Sequence, residues 1–178
     1  MGHDSNAGGF PALALDDEHL LEEIFSILGK RVHADPYSDD GSYATAIRQL
    51  PVGLRAMAAT HHLDISLTLD DIGWHFLNFG EAWLVAETES GLRVLELNDL
   101  ADWFAEALSI MRPRLTEIKE PGDYIECLTR NGCMQRINEL TDKAHEKGTE
   151  CGEEVSGSPI YEAWVKYARR HPGEVFGQ

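Results

Sequence analysis

The chain is poor in positive charge. Its 178 residues hold only 15 Lys and Arg against 31 Asp and Glu, a formal net charge of −16 with a pI near 4.7. Direct binding to nucleic acid, which needs basic side chains at the phosphates, is disfavoured. Attraction to an anionic membrane surface is disfavoured for the same reason. Cysteine is scarce too. Cys127, Cys133 and Cys151 are an odd number for a disulfide framework, and the gap between the first two is wider than a zinc knuckle allows. Reduced thiols in a cytoplasmic protein are the expectation. No apolar run approaches the roughly 18 residues of a membrane helix. Met1 to Phe10 has no basic segment leading into an apolar one, so no secretory signal is read there. The chain also lacks a phosphate loop of Walker spacing, a Gly-x-Ser-x-Gly elbow and a His-Glu-x-x-His pair. No cofactor is expected, and good hairpin signals are missing.

What the chain does have is a folded composition. Hydrophobic residues make up 43%, and four Trp, six Phe and five Tyr set it apart from disordered chains. The acids do not form a tail: residues 1–60 carry −5, residues 61–120 carry −8 and residues 121–178 carry −3. The negative charge therefore belongs to a folded surface, one that attracts basic partners and keeps the protein soluble.

Helical periodicity runs through most of the sequence. Asp16-Asp17-Glu18 opens a helix carrying Leu20, Leu21, Ile24, Phe25 and Leu28. A short helix follows Ser42, and another carries Leu54, Met57, Ala58, His61 and His62 to about Leu63. Thr68 and Asp70 are candidate caps for a helix with Ile72, Trp74 and Phe76. Glu81 to Thr88 is apolar almost all round its middle and reads as buried. Ser90-Gly91 reads as a turn and Leu92 to Leu97 as an extended linker. The clearest helix is Asn98 to about Met111, with Leu100, Trp103, Phe104, Ala107 and Leu108 on one stripe. Gly122 and Asn131-Gly132 read as breaks. A polar helix spans Met134 to Lys147, and a last one Ile160 to about Arg170. The expected class is all-α: a flexible lead-in over residues 1–15, then a single compact domain of about seven to nine helices over 16–176.

Two sets of side chains are candidates for function. His61 and Asp64 share a helix face at i, i+3, and Asp71 and His75 share another at i, i+4. Two helices meeting there could offer two imidazoles and two carboxylates to a divalent metal, the basis of a metal-dependent or small-ligand enzyme. The second set is acidic: Asp70, Asp71, Glu81, Glu87 and Glu89, then Asp99, Asp102 and Glu106. The last three follow i, i+3, i+7 and would run negative charge along roughly 10 Å of one helix face. The aromatics Trp74, Phe76, Phe79, Trp83, Trp103 and Phe104 read as core more readily than as a pocket lining.

Leu50-Pro51-Val52-Gly53-Leu54-Arg55 leads into the helix that ends His61-His62-Leu63-Asp64. Gly73-Trp74-His75-Phe76 follows, and the chain closes on Tyr161-Glu162-Ala163-Trp164 and on Tyr167 to Phe176. Over about residues 42–176 this resembles the small helical bacterial domains of the DNA-mimic-protein-like family. That family usually has an Asn-Gly-Gly-aromatic turn where this chain reads Asp71-Ile72-Gly73-Trp74. The resemblance implies an all-α, non-enzymatic fold whose carboxylates imitate DNA phosphates and occupy a basic or DNA-binding protein. A second copy of the chain is a further candidate partner.

Overall fold

Among the described residues the apolar stripes close on one another as nine α-helices and two short 3-10 turns. The computed structural model describes residues 10–150 and 157–177, the side chains of 148–150 excepted, and all regular structure among them is helical. In chain order the helices are α1 (Asp17–Arg31), α2 (Ser42–Ile47), α3 (Val52–Leu69), α4 (Ile72–Asn78), α5 (Ala82–Val94), α6 (Asn98–Met111), α7 (Pro121–Arg130), α8 (Met134–Glu150) and α9 (Pro159–Arg170). Among the described residues none is long and apolar enough to cross a membrane.

α3 is the axis of the molecule. It is apolar or small on nearly every side, and a helix of that kind must be enclosed. It touches α1, α2, α4, α5, α8 and α9, and Leu54, Met57, Ala59 and Leu63 along it are fully buried. α5 lies closest. A Cβ at Gly91 would stand 2.9 Å from the carbonyl oxygen of Ala56, so only glycine lets the two backbones come this near. From the other side α9 inserts Trp164, whose Nε1 donates to Thr60 Oγ1 at 3.0 Å.

Five of the helix starts, those of α1, α4, α5, α7 and α9, carry a side-chain cap. Asp16 accepts from the His19 amide, with Asp17 and Glu18 in the first turn of α1 and Lys30 and Arg31 in its last. Asp71 caps α4, Glu81 caps α5 and Ser158 caps α9, while Glu120 and Asp123 form a reciprocal capping box on α7.

Several local expectations change. Residues 10–15 are not a loose lead-in: Pro11–Ala14 make a 3-10 turn, and Arg169 of α9 donates to the carbonyls of Leu13 and Leu15. Ser90-Gly91 is no turn, because α5 runs through it and Gly91 serves close packing. Leu92 to Leu97 is accordingly the end of α5 and a tight connection rather than an extended linker. α3 continues past Leu63 to Leu69, so Thr68 lies inside it and the cap of the next helix is Asp71 rather than Asp70. Gly122 sits in the first turn of α7, a helix the breaks conceal. Trp83 is 57% exposed although its segment reads as buried; the Arg48 guanidinium covers its ring at 4.2 Å.

Candidate functional site

Six of the eight acidic positions picked from the sequence are engaged inside the molecule. Glu87 is buried and meets two arginines: Arg48 Nε at 2.5 Å, and Arg55 through Nε at 2.5 Å and Nη2 at 2.7 Å. Burial opposes the charge on Glu87, but the two guanidiniums outweigh it and hold the carboxyl below its ordinary value. Asp71 and Glu81 cap their helices, and Asp71 also accepts from the Tyr124 hydroxyl at 2.6 Å. The row on α6 exists, but each member faces a cation: Asp99 pairs with Lys147, Asp102 with Arg93, and Glu106 with Arg136 in a two-pronged contact of 2.6 and 2.8 Å. Only Asp70 and Glu89 of the eight make no hydrogen bond or ion pair among the described residues. Glu87 is thus a structural ion pair and not part of a partner-binding face.

The histidine–carboxylate set is divided in the same way. His75 is fully enclosed by Phe76, Phe79 and Phe104. Ser66 Oγ donates to the His62 carbonyl at 2.9 Å, so His75 Nδ1–H donates to Ser66 Oγ at 3.2 Å, and His75 Nε2 has no partner among the described residues. Asp71 serves α4 and Tyr124. Among the described residues no group of three or more His, Cys, Asp or Glu stands where it could hold a metal ion. The four-residue metal centre is therefore corrected to separate structural bonds, with one exception.

The exception joins His61 and Asp64. Both sit on α3, and both reach the first turn of α9. Ser158 Oγ donates to Asp64 Oδ1, the Tyr161 hydroxyl hydrogen-bonds His61 Nδ1 at 3.0 Å, and the Asp64 carboxylate acts electrostatically on the same phenol. Burial raises the Asp64 carboxyl above its ordinary value, while Ser158, Tyr161 and His61 work against the rise. Burial and the neighbouring Asp64 raise the Tyr161 phenol, and burial lowers His61. The chain of groups runs Ser158, Asp64, Tyr161, His61. Neither Ser158 nor Tyr161 was a candidate in the sequence, for their partners lie about a hundred residues away.

His61 and the adjacent His62 line one side of a cleft of about 280 Å³. Phe25, against the His61 ring, and Leu28 of α1 line it as well, with Val32, Ala34 and Pro36 of the segment after α1. Tyr43 of α2 closes it: its hydroxyl donates to the Ala58 carbonyl at 3.1 Å and accepts from His62 Nε2 at 3.1 Å. His62 stacks on Phe79 with ring centroids 4.7 Å apart, and burial brings its pKa down to about 4.

The cysteines do not enter these sites. Cys127 is buried on α7 and Cys133 half-buried before α8, both free, while Cys151 lies outside the described residues. No family model matches this chain, and neither the curated proteins nor the solved structures contain a match.

Proposed function

We propose that the protein is an acidic helical binding protein whose partner presents a basic surface, a DNA-binding protein being the leading class. The supporting observation is how the charges are paired. Nine of the 15 basic side chains are held in ion pairs within the molecule, from Arg48 and Arg55 on Glu87 to Arg170 on Glu96. Those pairs occupy most of the cations, so the surplus carboxylates are left unpaired at the surface. Exposed Glu18 and Glu22 of α1, Asp39, Asp70, Glu126 of α7 and Asp142 of α8 have no hydrogen-bond or ion-pair partner among the described residues. Carboxylates fixed on packed helices present a steady negative field to a basic groove.

The test is capture on the immobilised protein at low salt, with identification of what is retained. Basic DNA-binding proteins should bind, elute as salt rises through the screening range, and be displaced by duplex DNA. The double variant E18Q/E22Q should retain less. Retention of no basic protein, or retention indifferent to salt, would overturn the reading. Retention that DNA fails to displace would remove DNA imitation and leave a basic partner of another kind.

A further inference from the structure

The cleft beside α1 differs from the acidic exterior: its walls are apolar, and the only polar side chains lining it are Tyr43, His61 and His62. Tyr43 is satisfied, and the unpartnered atom of His62, its Nδ1, is buried away from the cleft, with no hydrogen bond among the described residues. Tyr43 gives its proton to Ala58, which obliges His62 Nε2 to be the donor of its own bond to Tyr43. His61 is different. Its Nδ1 meets Tyr161 at 3.0 Å, and the Asp64 carboxylate beside the phenol is the natural acceptor for the Tyr161 proton; the arrangement that satisfies all three groups puts the hydrogen on His61 Nδ1, donating to the Tyr161 oxygen. That leaves the lone pair on His61 Nε2, which has no hydrogen bond among the described residues. Phe25 stands against the imidazole edge at 5.4 Å and Trp164 at 6.1 Å, so the ring cannot swing out of this position without losing both contacts.

We propose that the cleft is a binding site for a small, mainly apolar molecule bearing one hydroxyl or N–H donor, with the donor accepted by His61 Nε2 and the apolar body lying between Phe25 and Val32. Asp64 and Tyr161 are positioning residues that fix the imidazole tautomer. The dimensions fit this class, because about 280 Å³ is near the lower end of ligand pockets and too small for a folded partner. The chemistry fits binding rather than turnover: the lining holds no serine, threonine or cysteine to attack a ligand. A charged ligand does not suit walls of Leu28, Val32, Ala34 and Pro36, which offer an ion no counter-charge.

The probes are para-propylphenol and propylbenzene, which share a body and differ in the donor. Each is titrated into the full chain and followed by imidazole nitrogen and methyl NMR signals. Propylphenol should saturate, move the His61 Nε2 signal and the methyls of Leu28 and Val32, and bind about five- to tenfold more tightly than propylbenzene. His61→Phe keeps the aromatic bulk and should abolish that preference while propylbenzene still binds. Tyr161→Phe frees the tautomer and should reduce the preference with the His61 ring still in place, a change in the ratio that a purely structural role would not produce. No saturable binding of propylphenol at these signals, or equal affinity for the two probes in the unaltered protein, would overturn the proposal. A preference that persists in His61→Phe would do so as well.

Discussion

At the scale of single residues, the buried imidazoles make the fold sensitive to acid. His62 and His75 have pKa values brought down to about 4 and about 3 by burial, against 6.5 for the free side chain. Below about pH 6.5 the unfolded chain binds protons that the folded one refuses, so stability is complete above that pH and falls as the pH drops toward 4. The part due to His62 amounts to about 3 kcal/mol over the whole interval. Urea denaturation at stepped pH between 6.5 and 5, above the range of ordinary carboxyl groups, should show this slope, and His75→Leu should reduce it by one proton. Glu87 behaves with the opposite chemistry and the same sense. Its carboxyl is held low, so its contribution exists above about pH 4.5 and is lost as the pH falls through its depressed value. Glu87→Gln leaves Arg48 and Arg55 without their shared anion and should cost about 1–3 kcal/mol at neutral pH, a difference that closes in acid. From the sequence, Glu87 is indistinguishable from a surface acid: it sits in an acidic chain, and both arginines lie more than thirty residues upstream. His61 and Asp64 could be paired in advance because one helix turn joins them. Tyr161 could not, because only tertiary packing brings it there.

At the scale of elements, glycine supplies a matched pair of tests. A Cβ on Gly91 would stand 2.9 Å from the α3 backbone at Ala56, whereas a Cβ on Gly29 of α1 would meet nothing within 4 Å. The same substitution should therefore act in opposite directions. Gly29→Ala should stabilise by about 0.5–1 kcal/mol through helix propensity and a less flexible unfolded chain. Gly91→Ala gains the same propensity but must push two backbones apart, and should be net destabilising by about 1–2 kcal/mol. Denaturation midpoints of the two variants decide it. This pair also shows where periodicity is and is not legible. α1, α6 and α9 carry clean apolar stripes and can be read from sequence nearly to the residue. α5 cannot, because Ser90-Gly91 has the composition of a turn and only the neighbouring α3 gives the glycine another purpose. α7 is hidden for a related reason: Pro121-Gly122 punctuates a sequence, yet Pro is at home in a first helical turn.

At the scale of the whole molecule, like charges repel. A net charge of −16 on one compact domain strains the folded state, and added monovalent salt should relieve more repulsion than it screens attraction. Melting temperature should rise with salt through the physiological range. A fall would mean that the exposed ion pairs, such as Arg93 with Asp102, outweigh the repulsion. The all-α class follows from the summed evidence of many stripes and needs no single one to be read correctly, which is why it survives the local revisions. α9 carries a different lesson. Trp164 fills the core beside α3, and Arg169 fastens α9 to Asp17 and to the carbonyls ahead of α1. The first helix and the ninth are thus neighbours, with the rest of the fold strung between them. On a ribosome, α1 and α3 emerge long before their partner exists, and their apolar stripes wait exposed until α9 leaves the exit tunnel. Completion of this domain therefore waits on the emergence of α9, and a nascent chain halted before Ser158 should remain open to proteases that the chain carrying α9 resists.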